Sequence, residues 1–246
     1  MSFAMAAGGL VAAFYVYAKT KEKRFFIGIF YFFLMEFLQG FQYIWIDQCD
    51  NPINQVLTFL GFFHIVWQPF FLHYMCSGLE VSQNDKVKYK AILGLCFLGG
   101  IWLLSRHLAA PWAFYPPSDA CPSTEWLRGN QLCTFSGNYH LSWSVPMYDQ
   151  TYFSPGASVH FFLMFAPFMV LGRKMIVLGL FTLLTGPILA SYITASLFEQ
   201  ASIWCFFSIS QGAGLVALWH LQQIGEKKEP TKQPAKGKGG KGQKGK

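Results

Sequence analysis

The 246-residue chain is 53% apolar and 18% aromatic, with 13% charged residues and a net charge of +7. A soluble globular domain carries about 25% charged residues, so this composition excludes an ordinary soluble fold and equally a disordered chain. The length accommodates one membrane domain and no second soluble domain, and the surplus positive charge lies mainly in the tail, which excludes reading it as a nucleic-acid-binding face.

Seven apolar runs follow in chain order, at residues 3–18, 25–47, 54–77, 90–107, 158–172, 175–196 and 200–222. Hydrocarbon offers no hydrogen-bond partner, so runs of this kind are read as helices that satisfy their own backbone. The pattern predicts an all-α polytopic bundle of seven transmembrane helices over residues 1–225. The first run is short for a span. A cleaved signal peptide is its alternative reading, disfavoured because nothing basic precedes it.

The basic residues sort to one side of these runs. Lys19, Lys21, Lys23 and Arg24 follow the first, and Lys86, Lys88 and Lys90 precede the fourth. Arg173 and Lys174 join the fifth and sixth, and eight lysines follow the seventh. Seventeen of the 19 Lys and Arg residues thus share one side, which the positive-inside rule makes cytoplasmic. The N-terminus is then outside and the C-terminus inside; Arg106 and Arg128 are the exceptions. Residues 226–246 contain Lys, Gly, Pro and Gln without a large apolar residue, and are expected to be disordered. Such a tail attracts anionic lipid headgroups, at about 1 kcal/mol per nearby Lys; no nucleic-acid partner is expected.

The one long loop, about 108–157, is rich in Pro, Trp and Tyr. It reads as a folded cap at the outer interface, where Trp and Tyr are favoured, either sealing the bundle or gating and binding. Cys121 and Cys133 lie in it and could form a disulfide in an oxidising compartment; free thiols are the alternative. Cys49 is also on the outer side, whereas Cys76, Cys96 and Cys205 lie in or near the membrane. Pro69 and Pro187 fall at non-equivalent places in the third and sixth runs, so no internal repeat is supported.

Ionisable residues at mid-membrane are costly and normally face the bundle interior. Glu36, His64 and Gln211 each lie 10–12 residues inside the outer end of a run. That is about 15–18 Å down, near the bilayer centre. Each heads a helical stripe: Glu36, Gln39 and Tyr43; His64 and Gln68; Trp204, Ser208 and Gln211. Three such stripes at one depth are expected to meet, with Glu36 and His64 as neighbours. Such a centre would serve as a substrate or proton path in a transporter, channel or solute-binding protein, with a small-molecule ligand as partner. The alternatives are a membrane enzyme acting on a lipid or other hydrophobic substrate through a Glu/His acid–base pair, and a structural or recruiting scaffold whose polar residues only fix packing.

No metal or cofactor is expected. Glu36 and His64 supply two ligands where catalytic zinc needs three, and no HxxxH or HExxH spacing occurs. His73 and His220 could pair at the inner side, and His107, His140 and His160 with Asp47 could gather outside. There is no GxSxG, CxxC, Walker loop or GxGxxG. Cys205, among aromatics, reads as packing.

The run Ser202-Ile203-Trp204-Cys205-Phe206-Phe207 resembles the Ser-(Val/Ile)-Trp-Cys-Phe-Phe signature of a family of small multipass membrane proteins of unknown function. A second helix with a Glu before an aromatic-rich turn (Glu36 to Trp45) and a Trp-x-Pro element (Trp67-Gln68-Pro69) agree with it, while the long outer loop and Lys-rich tail depart from it. The resemblance implies a similar seven-helix fold, assigns no activity, and singles out Glu36 and Trp204.

Glycosylation acceptors inserted at 138 and at 84 test the orientation. The first is expected to be glycosylated in microsomes and the second left unmodified; the reverse pattern would invert the topology.

Overall fold

A computed structural model describes residues 2–79, 83–113, 125–148, 156, 158–208, 211, 212 and 214. The predicted tail, His220 and Cys121 lie outside them. Seven helices are described: α1 (Ser2–Thr20), α2 (Lys23–Gln42), α3 (Pro52–Cys76), α4 (Gln83–Ala113), α5 (Ser158–Phe165), α6 (Arg173–Ile193) and α7 (200–208). α1 to α4 and α6 are long and apolar enough to cross a membrane, and Ser158–Val170 is a shorter apolar helix.

Local chemistry sets the boundaries. Glu22 caps α2 by accepting the Arg24 amide at 3.1 Å, and Asn51 caps α3 by accepting from Ile53 at 2.9 Å, with Pro52 in the first turn. Pro167 cannot donate to Leu163, and from Ala166 to Val170 the chain tightens into a 3₁₀ helix. The Leu163 carbonyl is taken instead by His73 Nε2 of α3, at 2.9 Å. Gly172 follows at φ 93°, a conformation a side chain would strain, and turns the chain into α6. Pro187 likewise coincides with a π turn, Leu184–Ile188, inside α6.

α3 packs against α2, α4 and α5 and is the central helix. Phe25, Leu72, Met75, Tyr89, Leu163 and Phe168 belong to a core at the end that carries the basic loops. Met35, Phe62, Val66, Leu103, Trp143 and Cys205 belong to a second core at the other end.

The cap departs from the all-α expectation. It contains an antiparallel ribbon, β1 (Cys133–Ser136) and β2 (Leu141–Ser144), pairing Thr134 with Trp143 and Ser136 with Leu141. All four residues of β2 are buried. Both outer edges of the ribbon are satisfied by the bundle. The Asn54 side chain of α3 accepts from the Thr134 amide at 2.9 Å and donates to its carbonyl at 2.8 Å, as a neighbouring strand would. The Thr58 and Thr134 hydroxyls meet at 2.7 Å. On the other edge, Trp143 donates its amide to Phe198 at 3.0 Å, and the Ser202 hydroxyl of α7 donates to the Leu141 carbonyl. Trp143 also donates its indole N–H to Gln42 at 3.1 Å.

A disulfide joins Cys49 to Cys133, so Cys133 pairs with the α2–α3 turn and not with Cys121 as the spacing suggested. Asn54 brings β1 alongside α3 and sets Cys133 against the α2–α3 turn. Arg106, one of the two exceptions to the charge sorting, is buried at the ribbon end of α4. Its guanidinium binds both carboxylate oxygens of Glu125 and donates to the Tyr148 carbonyl at 2.8 Å.

A cross-link spanning 84 residues restricts the unfolded chain strongly. Cys49→Ser and Cys133→Ser are each expected to lower unfolding stability by about 2–4 kcal/mol, and the double variant no further. Cys121→Ser is expected to retain the Cys49–Cys133 bond in peptide mass spectrometry.

Candidate functional site

Glu36 and Gln39 sit one helical turn apart on α2, and both are fully buried at 0% exposure. Neither oxygen of Glu36, nor the oxygen or nitrogen of Gln39, has a hydrogen-bond partner among the described residues. Glu36 lies close enough to Tyr43, just past α2, and to Cys205 of α7 for its charge to act on both. The stripe Glu36–Gln39–Tyr43 therefore rises along α2 toward the ribbon, with Tyr43 about 10 Å above Glu36 along the axis.

Tyr43 opens into a pocket of about 360 Å³. Its walls are the start of α1 (Ser2), the ribbon turn (Tyr139, His140), the end of α6 (Ile193) and α7 (Ile203, Phe206, Phe207). Tyr43 and His140 meet edge to face at 5.7 Å. Ser2 is buried and Phe3 packs on Phe41, two residues past Gln39, at 5.5 Å. Gly40 permits this, because a Cβ there would stand 2.7 Å from the Phe3 ring.

The other sequence-predicted residues make cross-links between helices, and of them Gln68 and Trp204 come together at one small cavity. His64 does not pair with Glu36. Its Nε2 donates to the Tyr31 carbonyl at 2.7 Å, the Tyr31 hydroxyl donates to the His64 carbonyl, and the two rings stack at 3.9 Å. Tyr31 lies one residue past one turn N-terminal to Glu36, and its reciprocal bonds give the imidazole a better match than a carboxyl would. Gln68 donates to Cys205 Sγ at 3.2 Å, joining α3 to α7. Gln211, beyond the described end of α7, donates to the Thr182 carbonyl at 3.0 Å and to the Thr185 hydroxyl at 3.1 Å of α6. Ser208 bonds back to the Cys205 carbonyl at 2.5 Å. Trp204 stacks on Phe165 and meets His160 edge-on, with Gly186 letting α6 approach its indole. Trp204, Gln68 and His160 line a small, mostly apolar cavity of about 40 Å³.

The outer polar residues serve the ribbon. Asp47 accepts from the Ser136 amide at 2.7 Å and its hydroxyl at 2.6 Å, and these bonds hold its carboxyl below the usual range. His107 bonds the Pro146 carbonyl. Glu199, which sequence reasoning passed over, binds the ribbon turn: it accepts the amides of Tyr139 at 2.6 Å and His140 at 2.7 Å and the Thr194 hydroxyl at 2.8 Å. Burial pushes the Glu199 carboxyl up, but these donors outweigh it and hold the group below its ordinary value. Burial lowers His140 to about 4, against the pull of Glu199. A lone acid in the short turn before the last helix was the available signal for Glu199. Asn54 and Tyr31 gave none, because their roles exist only across elements.

This geometry belongs to a helical bundle with membrane-length apolar helices and a polar site beneath a capped pocket. Residues 1–226 match the model of a family of unknown function, DUF5765, and the chain belongs to it. No curated protein and no solved structure matches the chain.

The cap should loosen in acid in two stages. A histidine unfolded near 6.5 and folded near 4 favours the unfolded state progressively as pH falls between those values. Glu199, lowered in the fold, contributes stability above about 4.3 that is lost as pH falls through its folded value. The hydrogen-exchange protection factors of the Tyr139 and His140 amides, which divide out the intrinsic slowing of exchange in acid, are expected to fall below about pH 6.5 and again below about 4.3. His140→Phe should remove the first stage and keep the second.

Proposed function

We propose that the chain is a seven-span membrane protein that takes in a small solute at Glu36 and Gln39, from the pocket at the ribbon end. One observation carries the reading: four polar side-chain atoms on one face of α2 are fully buried and have no hydrogen-bond partner among the described residues. Buried polar groups are nearly always satisfied, and an orphaned one costs about 1–3 kcal/mol. A transporter, channel or solute-binding protein accounts for that cost, because the solute supplies the missing partners. The pocket that Tyr43 lines opens about one helical turn beyond Gln39, and Gln39 and Glu36 themselves lie beneath it, outside its lining.

A membrane enzyme using Glu36 and His64 as acid and base has less support, since the His64 Nε2 proton is committed to the Tyr31 carbonyl. In the topology we favour, the ribbon faces outward and the basic loops face the cytoplasm, where the tail at 226–246 engages anionic headgroups. The Cys49–Cys133 bond supports an oxidising compartment on the ribbon side.

If the site is kept for a solute, removing its polarity should stabilise the empty protein while abolishing function. Glu36→Leu is expected to raise unfolding stability in detergent by about 1–3 kcal/mol. Solute-induced thermal stabilisation and proteoliposome uptake should be lost in Glu36→Gln. Uptake that survives Glu36→Gln undiminished would reject the reading.

A further inference from the structure

We infer that the cavity of about 40 Å³ among α3, α5, α6 and α7 is a water site, its internal water bound to His160 of α5 and shared with Gln68 of α3. Glu36 and Gln39 do not line this cavity, so the assignment stands apart from a solute at those residues.

His160 is the group that calls for a ligand. Its side chain lines the cavity, is buried at 4% exposure, and has no hydrogen-bond partner for either ring nitrogen among the described residues. Trp204 meets the ring edge-on at 5.8 Å and offers it packing. A neutral imidazole carries one N–H and one accepting nitrogen, and each is costly to leave unmet in a dry interior.

The other polar groups of the wall are largely committed. Trp126 donates its indole N–H to Gln200 Oε1 at 2.7 Å, and Gln200 donates to the Thr194 carbonyl at 3.0 Å. Gln68 donates to Cys205 Sγ at 3.2 Å, which leaves its amide oxygen to accept. The wall thus presents an acceptor at Gln68 and, at His160, a donor or an acceptor according to the nitrogen and tautomer. A molecule that both donates and accepts serves every one of these cases.

Size selects water among such molecules. One water needs about 10–15 Å³ of cavity, so about 40 Å³ holds two or three. Organic solutes occupy sites of about 300 Å³ or more, and an apolar gas would fit but leave the imidazole unmet.

The fold makes the space. Pro187 stands in the wall, within the π turn Leu184–Ile188 of α6. On α3 the wall runs from Phe62 to Gln68, about 9 Å along the axis, and Leu127 and Met147 of the cap complete it. Water held there joins α5 to α3, as the direct bond from His73 to the Leu163 carbonyl does elsewhere on the same two helices.

Radiolytic hydroxyl-radical labelling in heavy-oxygen water tests the site on the full-length protein in nanodiscs. Radicals formed from bound water oxidise the side chains beside it, even where bulk solvent does not reach. Met147 lines the cavity at 1% exposure, whereas Met35, at 0%, does not line it. Met147 is expected to take up label several-fold faster than Met35. His160→Phe is expected to bring Met147 down to the Met35 rate, and Gln68→Leu to slow it partway. Circular dichroism and size-exclusion profiles verify folding of both variants. Equal rates at Met147 and Met35 in the wild-type protein would overturn the water site without recourse to any variant. Fast labelling of Met147 that survives undiminished in the folded variants would overturn the assignment of the water to His160 and Gln68.

Discussion

A peptide ribbon wedged among helix ends has no water on which to spend its edge amides and carbonyls, and the upper half of this molecule is organised by that constraint. The Asn54 amide takes the place of a missing strand on one edge, and Phe198 and Ser202 close the other. Glu199 gathers the turn amides, and the disulfide ties β1 to the turn between α2 and α3. These bonds fix the ends of α2 and α3 against the start of α7. The pocket is the space left between the ribbon turn, α1, α2 and the last two helices.

Below the ribbon, polar groups are used as bolts between helices. His64 with Tyr31 joins α3 to α2, Gln68 with Cys205 joins α3 to α7, and Gln211 bonds Thr182 of α6. His73 illustrates the economy of the arrangement: proline at 167 frees a carbonyl on α5, and the imidazole of α3 occupies it. In hydrocarbon such bonds replace the hydrophobic drive that water would supply. Glu36 and Gln39 break this pattern, as does His160, whose two ring nitrogens are likewise buried without a partner among the described residues.

Family membership adds a frame and no chemistry, so the chemistry must come from the site. The described residues offer a carboxyl and an amide on α2 and, about one turn beyond them, a pocket lined by aromatic rings. Cys205 is buried and accepts from Gln68, and His64 is held by Tyr31, so neither stands ready for covalent or acid–base work.

The apolar runs, the basic loops and the buried status of Glu36, Gln39, His64 and Gln68 were legible in the order of residues, because hydrocarbon burial and helical period act on neighbours within one segment. The ribbon was half legible: Cys133-Thr134-Phe135-Ser136 and Leu141-Ser142-Trp143-Ser144 alternate as strands do, on either side of Gly137 and Asn138, but four residues make a weak signal. Which polar groups meet was decided only by the tertiary structure. Helical spacing places a side chain on a face, but the rotation of one helix against another chooses its partner, so His64 found Tyr31, Cys133 found Cys49, and Glu36 found none among the described residues.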